Sequence, residues 1–275
     1  MLDNFNPLND EQIRETAPSV FSEQAQNELS DRYAFVPTYN VVNFMRENGW
    51  FPVEAKEVKT RKAENKGFQR HMIRFRHPEI SFNNINNDKN LIDILLTNSH
   101  DGKSSFTFQV GVFRLVCSNG LVVQTEDFGT ERVRHFTTNE GEDEFNTTFT
   151  NVLTTLVGQV PHTVDIISKM QNTIVNDEQV REFALKAATV RFQDKLEKMD
   201  KELLLEQLVQ ANREEDTGNS LWRVFNTLQE KLIKGGYSYL GGKKRKPRKA
   251  RSLNNIMQSN KVNTELFSLA YEYVN

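Results

Sequence analysis

The sequence is poor in the residues that would indicate disulfide or membrane chemistry. It has a single cysteine, Cys117, so no disulfide can form within the chain, which fits a reducing compartment. No window approaches the roughly eighteen consecutive apolar residues of a membrane span, and the amino-terminal stretch lacks a positive flank followed by an apolar run. The sequence therefore predicts a cytoplasmic protein with neither a signal peptide nor a membrane span.

Signatures of familiar enzyme classes are missing as well. The chain has no glycine-rich phosphate loop with a lysine, no HExxH, no Gly-x-Ser-x-Gly and no CxxC. The sharpest polar cluster is His100 with Asp101, followed by Cys117, but zinc sites need three or four suitably spaced ligands. A histidine beside an Asp-Gly pair is more simply part of a hairpin turn, and a cysteine in an apolar run usually behaves as a small buried hydrophobe. We therefore expect no catalytic residue, no metal site and no cofactor.

Phenylalanine is abundant, and it marks the centre of the predicted fold. The chain has 19 phenylalanines against two tryptophans, so the core is expected to depend on phenylalanine. Residues 95–123 contain two apolar runs separated by a polar turn at residues 99–102, and Asn119-Gly120 offers a second tight turn. Alternation with one buried face predicts a central antiparallel meander. The residues predicted on one side of its middle strand are Phe106, Phe108, Val110, Val112 and Arg114.

The same stretch carries a family resemblance. Residues 97–102, TNSHDG, and 113–123, FRLVCSNGLVV, resemble the phage/plasmid-like proteins of domain-of-unknown-function family 932. Residues 218–226, GNSLWRVFN, resemble that family's segment of a small residue, Trp and then Phe-Asn near its C-terminal end. The resemblance covers residues 35–275. It implies a mobile element in a bacterial host cell, and it implies no settled activity.

The order of the patterns predicts an α+β fold. Strands come first and helices later: an N-terminal antiparallel β-hairpin and meander sheet with one helix is followed by a mostly helical C-terminal half. The helix begins near Thr38, which is the predicted cap, and ends at Gly49. We expect one integrated domain with three parts: a polar, loosely attached arm over 1–33, a sheet region over 34–144, and a helical region over 145–275 with a basic loop over 241–252.

Smaller features are predicted inside these parts. The arm is expected to hold a short helix over 19–29. Strands over 50–58 and 68–75 are expected to flank a charged hairpin tip, followed by an Asn-rich loop over 81–90. In the helical region, Pro161 is expected to end or kink one helix. Asn176 is expected to start another, and Gly235-Gly236 to stop a third.

Positive charge is concentrated in two places. Between Lys56 and Arg76, eight basic residues stand against two acids, and a spacing of two or four residues places the arginines at 70, 74 and 76 on one face of a strand. Residues 243–251, KKRKPRKAR, hold seven basic residues and no acid. Once these seven are subtracted from the net charge of −2, the rest of the chain carries −9. Basic runs neutralise phosphates, and an aromatic such as Phe68 can stack on a base. The predicted nucleic-acid-binding residues are Lys59, Arg61, Lys62, Lys66, Phe68, Arg70, Arg74, Arg76, Lys243, Lys244, Arg245, Lys246, Arg248, Lys249 and Arg251.

Three alternative functions are consistent with these features. The first is a non-enzymatic, homo-oligomeric nucleic-acid-binding protein of a phage or mobile element, for example one that binds or anneals single-stranded DNA in recombination. The second is a protein-interaction module that modulates a host defence system by contacting a host protein. The third is a metal-dependent nuclease that uses His100, Asp101 and nearby acids. Self-association between the acidic segment 126–144 and the basic segment 243–251 is expected to weaken as salt rises.

Overall fold

The structure is a computed structural model of the 275-residue chain. It describes residues 5–26, 29, 35–83, 89–104, 106–114, 120–122, 130–133, 142–241 and 246–274. These residues form two compact units. One unit holds the described residues up to Val160 except Gly120–Val122, and the other holds Gly120–Val122 with the residues from Pro161 onward. Strands dominate the first unit and helices the second, so the predicted α+β class is confirmed.

An antiparallel sheet organises the first unit. β1 pairs with β2, β2 with β3, β3 with β4, and the short β6 also pairs with β4. The polar turn after Asn98 joins β3 to β4, as the sequence predicts. The strands are β1 (Phe51–Glu57), β2 (His71–Asn83), β3 (Lys89–Asn98), β4 (Phe106–Arg114) and β6 (Thr130–Val133), with β5 (Gly120–Val122) belonging to the second unit. Cys117 and Asn119 lie outside the described residues, so neither the role of the cysteine nor the predicted second turn is tested.

Both ends of the segment 81–90, predicted as an Asn-rich loop, are strand. β2 runs on to Asn83, and β3 begins at Lys89. Pro78 cannot donate a hydrogen bond to the neighbouring strand, and the pairing of β2 with β3 shifts register between Arg76 and Ser81. Such an irregularity accommodates a proline without ending the strand.

The described part of the amino-terminal segment is packed into the first unit. Ile13 and Val20 are fully buried, so residues 5–26 are not the loosely attached arm that their polarity suggested. α1 (Asp10–Thr16) starts at Asn9, whose side chain and that of Gln12 bond each other's backbone amides in a capping box. A 3-10 turn at Pro18–Phe21 stands where a helix over 19–29 was predicted.

Phenylalanine rings form the core between the sheet and two helices. Phe149 lies 5.7 Å from both Phe106 and Phe108, measured between ring centroids, and 5.9 Å from Phe44. Edge-to-face rings at such separations stabilise beyond the area they bury. The two helices are α2 (Thr38–Glu47) and α3 (Glu142–Gly158).

A buried helix organises the second unit. α7 has eleven of its twelve residues between Leu221 and Leu232 buried, and it contacts α5, α6 and α8. The predicted boundaries at Asn176 and Pro161 are confirmed: the Asn176 side chain caps α5, and Pro161 falls in the first turn of α4. The helices are α4 (Val160–Asn172), α5 (Asp177–Phe192), α6 (Lys201–Val209), α7 (Leu221–Lys234) and α8 (Ile256–Tyr271).

Part of the basic run forms a β-strand, which corrects the predicted loop. β7 (Ser238–Gly241) pairs antiparallel with β8 (Lys246–Lys249). The sequence did not predict this strand because the run contains Pro247, and proline is disfavoured within a central strand. β8 forms one edge of a two-stranded sheet, where proline and lysine are tolerated.

Gly235 sets the path from α7 into this hairpin. Its φ is +70°, and a Cβ there would lie 2.5 Å from the carbonyl oxygen of Ala250. Gly236 also has a positive φ, +89°, but a Cβ there would meet nothing within 4 Å. Gly236→Ala is expected to cost the strain of a left-handed residue, about 1–2 kcal/mol. Gly235→Ala adds a backbone clash and is expected to cost about 1–3 kcal/mol more. Urea unfolding of the two variants measures the difference, and equal losses would contradict this account.

Candidate nucleic-acid interface

The loop between β1 and β2 carries the first basic element. Its 3-10 turn at Ala63–Asn65 is held by Gln26, whose side-chain amide donates to the Glu64 carbonyl at 2.9 Å and to Asn65 Oδ1 at 3.1 Å. Phe68 and Arg70 are half-buried, and Arg70 donates to the carbonyl of Lys103. The exposed cations of this basic loop are Lys59, Arg61, Lys62 and Lys66.

Arg74 and Arg76 are engaged inside the sheet. The Arg76 guanidinium donates twice to the fully buried carboxylate of Asp93, each time at 2.7 Å. Arg74 reaches the same carboxylate at 3.0 Å and that of Glu54 at 2.9 Å. Burial raises the pKa of the Asp93 carboxyl, and the two guanidiniums act in the opposite direction.

The predicted arginine strip on β2 is therefore corrected. Arg74 and Arg76 do share one face, as their spacing indicates, but Asp93 of β3 stands opposite Arg76 in the strand pairing. A strand pattern shows which face a side chain takes and does not show what the neighbouring strand places beside it. These two arginines act as a structural ion-pair network, and they take no part in the interface proposed below.

A second buried feature of the first unit is a histidine cluster, formed by Ser19, Thr38, His71, Asn98 and His100. All five residues have no exposed surface. His71 Nδ1 donates to the carbonyl of Gln69 at 3.0 Å and lies 2.9 Å from Ser19 Oγ. The Thr38 hydroxyl then donates to His71 Nε2 and accepts from the Asn98 amide, both at 2.9 Å. The Thr38 hydroxyl therefore forms hydrogen bonds within this cluster instead of capping α2, which is the role that the sequence predicts. α2 begins after Pro37 without a side-chain cap.

The cluster stabilises a neutral imidazole. Burial, reinforced by the neighbouring His100, lowers the pKa of His71 to about 3. Asp101 has a separate role, because its carboxylate accepts from Ser99 Oγ at 2.7 Å and from the Lys103 amide at 3.0 Å within the turn. In the part of the chain that the structure describes, no three His, Cys, Asp or Glu side chains are grouped to hold a metal ion.

The second unit carries a groove, here called the hairpin groove. It lies between the end of α5, the β7–β8 hairpin and the start of α8, and it consists of two adjoining cavities of about 400 and 530 Å³. Six of its lining residues are basic and one, Asp194, is acidic. Low-dielectric walls strengthen the field of charges that share one sign. The six basic residues are Arg191, Lys195, Arg248, Lys249, Arg251 and Lys261.

Two aromatic rings line the groove among these cations. Phe192 and Tyr239 are half-buried, with ring centroids 5.8 Å apart and planes inclined by 53°. The Arg191 guanidinium lies 5.5 Å from the Phe192 centroid and donates to the carbonyl of Arg251. Gln193, which also lines the groove, has a φ of +48°, the one positive φ outside glycine among the described residues. Such a backbone is uncommon and often lies at a functional site.

The structure brings together only part of the predicted basic set. Arg248, Lys249 and Arg251 line the groove, Lys246 is exposed on the same strand, and residues 243–245 lie outside the described residues. Sequence analysis missed Arg191, Phe192 and Tyr239, because they come from a helix end and a strand that are distant in sequence. A usable signal was the aromatic residue just upstream of the basic run.

Comparison with known proteins places the chain in a family. The family described as Domain of unknown function (DUF932) matches residues 27–266. The chain belongs to this family. It is also 30% identical to the UPF0380 proteins YfjQ and YafZ of Escherichia coli (strain K12), each time over 233 residues that make up 84% of this chain and 79% of the relative. No solved structure matches the chain.

Among the resemblance residues whose burial the structure describes, at 97–102 and 218–226, most are buried in one unit or the other. His100 belongs to the buried histidine cluster, and Trp222 and Phe225 stack in parallel within α7 with centroids 5.7 Å apart. The resemblance predicted from the sequence is confirmed. The family description states no activity, and no helix among the described residues is long and apolar enough to cross a membrane.

Proposed function

We propose that this protein binds nucleic acid through the hairpin groove, as a non-enzymatic protein of a phage or mobile element that handles single-stranded DNA. The observation that carries the proposal is the groove's composition. Six basic residues and two aromatic residues line one concave surface, and a single acidic residue lines it with them. Single-strand binders combine a positive groove that follows the phosphates with aromatic side chains that stack on bases.

The hairpin's architecture supports contact with phosphates. All four residues of β8 are exposed, and the strand is held to β7 in register, with Tyr239 opposite Arg248. β7 is fixed in turn, because its Leu240 carbonyl accepts from the Asp200 amide at 3.0 Å. The cations of β8 therefore stand on a supported strand, which reduces the backbone entropy lost on binding.

The basic loop of the first unit supplies a second set of exposed cations. Its turn is ordered by Gln26, which fixes the backbone while the lysine and arginine side chains stay exposed. Contacts of this kind neutralise phosphates without reading bases. We therefore assign the basic loop an auxiliary, sequence-independent role in the same binding activity.

Titration with labelled single-stranded and duplex DNA at several salt concentrations, with and without magnesium, tests the proposal. Binding that weakens as salt rises, without cleavage, is the expected result, because phosphate contacts release counterions. The absence of binding at low salt would reject the proposal and favour a protein-interaction module. Magnesium-dependent cleavage of the bound strand would reject the non-enzymatic part and favour a nuclease.

A further inference from the structure

The hairpin groove is lined by an aromatic ring, that of Tyr239, which cannot neutralise phosphates and so needs another explanation. We infer that Tyr239 stacks on one unpaired base of the bound strand, while the cations beside it contact the flanking phosphates. The inference rests on the proposed function and specifies its ligand: a single strand with at least one base turned into the groove, and not a fully paired duplex.

Tyr239 is held in place by its neighbours on the hairpin. It stands opposite Arg248 across the strand pair. A Cβ on Gly241 would lie 2.9 Å from the Tyr239 ring carbon Cε2 and 3.6 Å from Arg248 Cδ. The ring therefore packs closely over the glycine, and a larger residue at position 241 would displace it. An aromatic ring that is already positioned loses little freedom when a base stacks on it.

The other aromatic ring of the groove is partly covered by a cation. The Arg191 guanidinium lies over Phe192, and it is tied to the backbone of Arg251. Phe192 therefore helps to support the groove wall, and Tyr239 is the better surface for a ligand. Both rings line both cavities, whose volumes fall within the range of small-ligand sites.

The surrounding charges explain why the ligand is a strand and not an isolated base. Arg248 and Lys249 come from β8, Lys195 comes from the 3-10 turn Gln193–Lys198 that follows α5, and Lys261 comes from α8. A base on Tyr239 thus has cations beside it for the phosphates of its own nucleotide and of the next. Duplex bases are already stacked and paired, so only an unpaired base can turn in without a large cost.

The test pairs a protein change with a change in the DNA. The probes are a labelled single strand of about a dozen nucleotides and the same strand made entirely of abasic sugars, which keeps the phosphates and removes every base. The proteins are the full-length parent, Tyr239→Leu, Tyr239→Phe and Gly241→Ala. The parent is expected to bind the normal strand more tightly than the abasic strand by about 5- to 150-fold, the equivalent of one stacked base.

Each variant has a distinct expected result. Tyr239→Leu should lose the preference for the normal strand while binding the abasic strand as the parent does, and Tyr239→Phe should keep the preference. Gly241→Ala should reduce the preference, because the ring is displaced but still present. The unchanged abasic affinity serves as the folding control within each variant. Equal losses on both strands in Tyr239→Leu would overturn the inference while leaving nucleic-acid binding intact, whereas a parent that binds neither strand would reject the proposed function itself.

Discussion

Asp93→Ala is expected to lower the free energy of unfolding by about 3–5 kcal/mol. Asp93 has no exposed surface, and its carboxylate receives three hydrogen bonds from Arg74 and Arg76. Removal of the carboxylate leaves the 6%-exposed Arg76 without its charged partner in the sheet. A buried charge without its counter-charge is far more costly than the pair is stabilising. Urea unfolding at neutral pH measures the effect.

Two further variants show whether the loss comes from the unpaired charge. Glu64→Ala removes an exposed carboxylate from the same unit and is expected to change the free energy of unfolding by less than about 1 kcal/mol. The double variant Asp93→Leu with Arg76→Met replaces the pair with apolar side chains and is expected to recover much of the loss. If Asp93→Ala were no more costly than Glu64→Ala, the ion-pair network would not have the structural role assigned to it.

Acid is expected to destabilise the protein through His71. The pKa of His71 in the fold is about 3, below the ordinary value of 6.5, so the unfolded chain binds the extra proton first as the pH falls. Stability from this group is therefore complete above about pH 6.5 and is lost as the pH drops toward 3. The expected loss is about 1.4 kcal/mol for each pH unit in that interval.

The slope of stability against pH isolates this group. His71→Gln removes the titrating ring, so its free energy of unfolding should fall less steeply than the parent's between about pH 6 and about pH 4. The variant also loses hydrogen bonds, and for that reason the slope and not the absolute stability is the measurement. The matched control is Ser19→Ala, which loses a hydrogen bond of the same cluster but keeps the titrating ring buried, so its slope should stay close to the parent's. Parallel curves for the parent and His71→Gln would show that the cluster does not hold a neutral ring.

Local patterns in the sequence predicted most of the elements. Asn176 precedes a helix and does cap it, and alternation in β4 buries Phe106 and Phe108 as expected. These features depend on residues within a few positions of each other. The errors occurred where local polarity misled: the amino-terminal segment is polar yet buries Ile13, and the basic run is charged yet forms a strand.

The candidate site could not be predicted in full from the sequence, because it is formed by contacts between residues that are distant in the chain. Arg76 and Asp93 meet because β2 and β3 pair in one particular register. Tyr239 and Phe192 meet because the hairpin packs at the end of α5. The basic run alone indicated a nucleic-acid-binding segment, but the aromatic part of the groove became visible only with the fold. A run of basic residues predicts that the ligand carries phosphates. The three-dimensional surface, with its aromatic ring, is what indicates a single strand with an unpaired base.

The most direct test of the central claim is the slope of log affinity for single-stranded DNA against log salt in two charge-matched variants. One removes Lys246, Arg248 and Lys249 from β8, and the other removes Lys169, Lys186 and Lys201, which pair with acids on helix surfaces. Each loses three positive charges, and light scattering confirms an unchanged assembly state. The β8 variant is expected to have a slope shallower by about 2, because each phosphate that is no longer neutralised reduces the slope by about 0.7. The helix variant should keep the parent's slope. Identical slopes for the two variants would show that the hairpin groove does not hold the strand.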